Sequence, residues 1–347
     1  MKEWLYAANQ AAALYFINTL CVSPEGLGYL RKRGLSDDML RRSWAGWADG
    51  KLTAHLRSRG FADEVLIGAG LSIRGEDGRV YDRFRRRVVF PVFDWNYRIC
   101  GFSGRTLEES PDIPKYLNTP GTEVFQKGDL VFGWNDLCYT TGFQIGERKL
   151  PYMIMCEGNL DVIALHQAGF VQSGASLGTA FTPSQAHMLS LVTDLVVLAY
   201  DADRAGRAAT KKNIAALRDA GVPSRVLVLE GAKDPDEFLK KFGAGAFKKA
   251  LLDARRSYEW ELDYAVQRVE EEKDPFFIPG EPAAQTRVQE EALRALGDEY
   301  VKLVGERSRS RLEGYAALVT KRFPWLKGES AEKYLMDYAL SVMAEGT

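Results

Sequence analysis

From Pro151 to about residue 250 the chain alternates strand, helix, strand, helix, strand, and this order constrains the fold more than any other feature of its 347 residues. Residues 152–156 and 195–200 are unbroken apolar runs, and residues 225–229 form a third β-like run. Residues 161–169 and 204–220 have helical patterns stopped by Gly169 and Gly221. Apolar strands separated by helices predict a small parallel sheet with crossover helices on its faces.

Ligands of such sheets bind beyond the carboxyl ends of the strands. The first strand ends at Glu157-Gly158, with Asp161 four residues on; the second ends at Asp201-Ala202-Asp203; the third is followed by Lys233-Asp234-Pro235-Asp236. Each motif alone is common, as a turn or a loop. Together they gather six carboxylates at one edge of one sheet, where they repel each other unless neutralised. Hard divalent cations are the natural counterions, and magnesium is commonly held by one or two carboxylates plus substrate phosphates. A pair of such ions suits in-line phosphoryl displacement. The small-residue stretch 174–180 is either a backbone cradle for phosphate or a tight crossover turn.

Net charge is −1, yet seven arginines (79, 83, 85, 86, 87, 98 and 105) face only Asp82 and Asp94 between positions 79 and 105. A neutral chain with a local arginine cluster binds a polyanion at one place; ion pairs or a solvated strand face are the structural alternative for Arg85 and Arg86. Trp44, Trp47, Trp95 and Trp134 are read first as packing residues and second as stacking surfaces for unpaired bases. Four cysteines and three histidines are scattered without metal-ligand spacing, which argues against a structural zinc site or a disulfide scaffold. No apolar run approaches the ~20 residues needed to span a bilayer, and the N-terminus lacks a signal-peptide pattern, so the expected location is cytoplasmic with no membrane partner.

The remainder organises around this sheet. Residues 9–20 and 27–34 predict helices, and Ser36 is a candidate cap for the helix carrying Met39 and Leu40. Residues 88–94 and 98–102 predict two strands around a turn at Trp95-Asn96-Tyr97, and 106–135 is loop-rich. After 255 the pattern is helical, acidic and amphipathic. The expected fold class is α/β: a mixed α+β N-terminal subdomain (1–150), a parallel-sheet α/β subdomain (151–252) and a helical C-terminal subdomain (253–347).

Glu157-Gly158-x-x-Asp161, Asp201-x-Asp203-x-Ala205-Gly206 and Lys233-Asp234-x-Asp236 resemble the three acidic motifs of a TOPRIM domain. Residues 161–169 and 177–180 resemble its version in bacterial DnaG-type primases. So do upstream segments: residues 81–91, Gly101-Phe102-x-Gly104-Arg105, Pro114-Lys115-Tyr116-Leu117-Asn118-Thr119-Pro120, and Phe125-x-Lys127-Gly128. The resemblance covers about residues 5–250 in family order. It departs at Asn159, where many members carry an aromatic residue, and in showing no zinc-ribbon module ahead of the core.

This resemblance implies RNA primer synthesis from nucleoside triphosphates on a single-stranded DNA template during replication. Glu157, Asp201 and Asp203 become the catalytic acids. With Asp161, Asp234 and Asp236 they form the metal set for two or more Mg²⁺ or Mn²⁺ ions. Arg83, Arg105, Lys115, Asn118 and Lys127 become the nucleotide- and template-binding residues. A replicative helicase is the expected partner, and the zinc-ribbon module is expected either to be truncated away or to be supplied by a separate protein in trans. The competing readings are a TOPRIM-type nuclease or topoisomerase-like enzyme, and a non-catalytic single-strand binding module. The upstream basic motifs weigh against the first, the retained acids against the second.

Overall fold

Helix α1 (Lys2–Cys21) buries Leu5, Ala8, Ala12, Ala13, Phe16 and Leu20, a helical stripe that packs on a β-sheet. The approach is close: a β-carbon on Gly46 would lie 2.5 Å from that of Phe16. The computed structural model describes residues 1–261 apart from Glu109, Pro111 and Thr179, and, beyond them, residues 263, 264, 300, 301, 317, 321, 333 and 335–337. The chain divides into two compact units, Met1–Ala254 and Arg255–Thr347. Most of the predicted C-terminal helical subdomain lies outside the described residues.

In the first unit, α2 (Pro24–Lys32) is capped by Ser23 and α3 (Asp37–Arg42) by Ser36, whose hydroxyl accepts from the Met39 amide at 3.2 Å. Then follow β1 (Gly46–Ala48), α4 (Leu52–Ser58), α5 (Asp63–Gly68), β2 (Ser72–Arg74), β3 (Val80–Asp82), β4 (Arg87–Phe93), β5 (Ile99–Thr106), β6 (Tyr116–Asn118) and α6 (Trp134–Thr141). Strands β1, β4, β5 and β6 form an antiparallel sheet in that order, and β2 pairs with β3. The buried Asp82 carboxylate accepts from the Leu52 and Thr53 amides, both at 2.7 Å, which satisfies the start of α4.

The second half of this unit runs β7 (Met153–Cys156), α7 (Asn159–Gln167), β8 (Ser173–Ala175), α8 (Pro183–Val192), β9 (Val196–Ala199), α9 (Arg204–Asp219), β10 (Ser224–Val226) and α10 (Pro235–Leu252). Strands β10, β9, β7 and β8 lie parallel in that order. Three of them are the predicted strands. The fourth, β8, carries Ser173, Gly174 and Ala175 and has no apolar signature, because it is packed too tightly for one. A β-carbon on Gly174 would lie 2.6 Å from Val131 and 2.9 Å from the Phe132 carbonyl oxygen.

Both halves share one core, which runs from Leu5 on α1 to Phe247 on α10. A buried polar cluster also joins them: Asp136 on α6 pairs with Arg42 of α3 at 2.8 Å and with His166 of α7 at 2.9 Å. Among the described residues no helix is long and apolar enough to cross a membrane.

Candidate active site

Every acidic motif sits where a strand of the parallel sheet gives way to a helix. Glu157 follows β7, and Asp161 lies in the first turn of α7. A β-carbon on the intervening Gly158 would lie 2.5 Å from Asp161 Oδ2. Asp203 caps α9, its Oδ1 accepting from the Gly206 amide at 2.8 Å. Asp234 caps α10 in the same way through the Glu237 amide at 2.7 Å.

Glu157, Asp161, Asp201 and Asp234 line one cleft of about 200 Å³. The same cleft is lined by Arg105 at the end of β5, Lys115 just before β6, and Tyr116 and Asn118 within β6. Arg105 lies 5.2 Å over the Tyr116 ring and donates to its hydroxyl at 2.8 Å. Asn118 Nδ2 donates to the carbonyl of Leu177 at 3.1 Å, tying the antiparallel sheet to the loop after β8. Leu177 and Gly178 in that loop both have left-handed backbones (φ 59° and 79°).

The remaining predicted residues stand back from the cleft. Asp203 is exposed at the head of α9, yet its charge reaches Glu157 and Asp201. Asp236 is buried and paired with Arg33 and Lys240. Arg83 donates to the carbonyl of Asn118 at 3.2 Å and so braces β6 from behind. Lys127 lies in a short 3₁₀ turn whose carbonyl accepts from Gln185. Burial pushes the pKa of both cations down.

In the cleft, burial and mutual repulsion among the acids outweigh the attraction of the cations that share it. Burial, then Asp234 and Asp201, push Asp161 up to about 7. Burial, then Glu157, Asp234 and Asp203, push Asp201 up to about 6. Burial and Asp203 also raise Glu157, whose Oε2 is buried without a hydrogen-bond partner. Among the described residues no three His, Cys, Asp or Glu side chains converge on a single ion position. Oxygen donors drawn from several loops fit hard cations held by one or two carboxylates apiece, with water and substrate oxygens completing the shell.

A DNA primase catalytic core, N-terminal domain model matches residues 15–137, and a Toprim-like model matches residues 154–239. The E. coli primase catalytic core superposes with a TM-score of 0.67 at 30% identity, covering 84% of this chain and 91% of that one. The chain belongs to the DnaG primase catalytic-core family. A DnaG primase catalytic domain bound to ssDNA has a TM-score of 0.68 at 27% identity, with 98% of each chain covered. The DNA primase of Clostridium acetobutylicum is 38% identical over 268 residues, which are 76% of this chain and 43% of that protein. The chain therefore spans less than half the length of this full-length relative. Membership of a family with a Toprim-like domain implies the use of divalent metal in general.

Within this primase core the arginine-rich segment is less available than its sequence suggests. Arg79 pairs with Asp77, Arg86 with Glu25 and Glu108, and Arg98 with Asp94 and Glu3. Arg87 is buried and donates to the carbonyls of Gly104 and Pro114. Trp47 and Trp134 are buried, and Trp95 donates its indole N–H to the Asp129 carbonyl at 2.6 Å. Sequence reasoning missed Arg33, which lines the acidic cleft from the N-terminal segment. The signal was the basic triplet Arg31-Lys32-Arg33 before the helix-stopping Gly34.

Proposed function

We propose that this chain is a primer-synthesising core that joins ribonucleotides on a single-stranded DNA template. The observation that carries the reading is the single cleft shared by four carboxylates and by Arg33, Arg105 and Lys115. A triphosphate needs cations for its oxygens, and nucleotidyl transfer needs metal-binding acids beside them; this cleft offers both. Glu157, Asp161, Asp201 and Asp234 are the residues to hold Mg²⁺ or Mn²⁺, with Asp203 acting by its field and by holding the start of α9. When bound, two such ions would neutralise charge on the attacking and leaving oxygens of the phosphoryl displacement.

Arg105, flanked by Tyr116, is set to hold a phosphate with the two-pronged geometry of guanidinium, and Lys115 adds a mobile point charge. Asn118 holds the loop at Leu177, which with Gly178 has a left-handed backbone and lines the cleft. Arg83 and Lys127 support this wall. The accompanying division is a basic subdomain (1–150), a metal-binding subdomain (151–252) and a third segment (253–347). A replicative helicase and a zinc-ribbon module are the partners this function calls for.

The test is direct. The chain is incubated with single-stranded templates, labelled ribonucleotides and Mg²⁺ or Mn²⁺, with and without an added zinc-ribbon module. Short template-dependent oligoribonucleotides support the proposal; cleavage of the template with no synthesis would favour a nuclease built on the same acidic domain.

A further inference from the structure

Asp236 is 8% exposed, and its Oδ2 receives both Lys240 Nζ at 2.6 Å and Arg33 Nη1 at 3.2 Å. It does not line the cleft, whereas Arg33 and Asp234 do. The Asp236 backbone N–H, at 3.4 Å, points to Asp161 Oδ1. An ion seeking the Asp236 carboxylate would have to displace two cations from a buried oxygen, at the cost of leaving both unpaired.

The loop that carries Arg33 is held from a second side. Gly34, just after it, has a left-handed backbone (φ 86°), and its carbonyl accepts from Gln167 Nε2 at 2.8 Å. The Ser36 amide donates to Gln167 Oε1, also at 2.8 Å. Gln167 ends α7, the helix that begins beside Asp161. Helices α7 and α10 of the acidic half thus grip one turn of the N-terminal segment, and Asp236 grips the guanidinium itself.

We propose that Asp236 is a positioning residue that fixes Arg33 at the cleft as a clamp for substrate phosphate, and that it is not a metal ligand. The phosphate's identity rests on the primer-synthesis reading. Arg33 uses one N–H on Asp236 and lies against the Tyr29 ring, and its remaining N–H groups are available to phosphate oxygens at the cleft. The third acidic motif then divides its labour: Asp234 faces the cleft, and Asp236 orders the cation that completes it.

The experiment uses the full chain. Mn²⁺ binding is followed by electron paramagnetic resonance without nucleotide, and ATP binding by equilibrium dialysis with Mg²⁺. Asp236→Asn should leave Mn²⁺ affinity at the parent value while Asp234→Asn weakens it. Asp236→Asn and Arg33→Ala should each weaken ATP binding by about tenfold, the scale of one charge-assisted hydrogen bond. The double variant should be no worse than either single one, and in primer synthesis KM for ATP should rise more than kcat falls. Asp236→Glu, which keeps the charge, guards against a folding defect: it should retain parent Mn²⁺ affinity and most of the ATP affinity. Loss of Mn²⁺ affinity in either Asp236 variant, or ATP penalties that multiply in the double variant, would overturn the proposal. A parent chain that makes no primer tells against the primer-synthesis reading alone, because the binding measurements need no polymerisation.

Discussion

A β-carbon on Gly206 would sit 2.1 Å from the carbonyl oxygen of Asp201. The first turn of α9 therefore lies directly on the backbone that presents the second acidic motif, and only a hydrogen fits between them. Gly206→Ala must push the helix or the Asp201 loop aside. The expected cost is about 1–3 kcal/mol of stability. A shift of ~1 Å at the reacting groups would also lower synthesis by about a hundredfold. Thermal unfolding and primer assays read the two effects; unchanged synthesis would remove Asp201 from the reacting geometry.

Asp201 and Asp203 should separate by substitution. Asp201→Asn removes one charge from a repelling set, so the metal-free chain should unfold at the same or a higher temperature while synthesis disappears. Asp203→Ala also loses the cap of α9, at about 1 kcal/mol. Asp203→Asn keeps the cap and loses only the charge. Equal stability of the two Asp203 variants would contradict the capping role.

Stability without metal should fall as pH rises from about 4 to about 7. Folded Asp161 and Asp201 hold their protons to about 7 and about 6, against about 4 in an unfolded chain. The folded state thus binds more protons across that interval, and raising the pH works against it. Mg²⁺ competes for the ionised forms, so the rise in Tm that it causes should grow over the same interval. Melting curves in chelator and in Mg²⁺ test this; Asp161→Asn should flatten the chelator curve, and a slope unaltered by that change would refute the assignment.

Binding to single-stranded DNA should depend on salt through the cleft cations rather than through the whole arginine-rich segment. Removing one phosphate-binding cation lowers the slope of log K against log salt by about 0.7. Lys115→Ala and Arg105→Ala should each flatten it. Arg86→Ala should not, since Arg86 is spent on Glu25 and Glu108. Fluorescence titrations at several salt concentrations distinguish the two groups.

Asp136→Ala should destabilise the fold by about 3 kcal/mol, because Arg42 and the buried His166 would be deprived of their shared acceptor. Denaturant unfolding measures this. A change within experimental error would mean that water replaces the carboxylate.

Strands β7 and β9 were legible because both are apolar throughout and buried on both faces. Strand β8 was not, since the space around Gly174 excludes the side chains that advertise a strand. The motif acids were legible as a set. Their individual stations were not, because residue type does not reveal that Asp203 would cap a helix or that Asp236 would be claimed by Arg33. Arg83 and Arg105 look alike in sequence, yet one faces the Asn118 backbone from behind and the other the cleft. Arg105 lies within β5 and Arg83 in the bend just after β3, and the local pattern does not name the partners that set either direction.

The Arg33–Asp236 pair joins positions 203 residues apart, whereas Asn118 and Leu177 are separated by 59. Closing a longer loop costs more chain entropy, by about 0.6 kcal/mol per doubling, so the contact spanning nearly the whole first unit is among the last to reward folding. An intermediate with its parallel sheet already formed would present four acids and Lys233 before Arg33 reached the cleft. Local opening would run the other way, releasing α2 while β7 stayed paired. Amide exchange faster at Tyr29–Arg33 than at Met153–Cys156 would reveal that order. The grip on substrate phosphate would then be an equilibrium property of one hinge, adjustable without touching the acids.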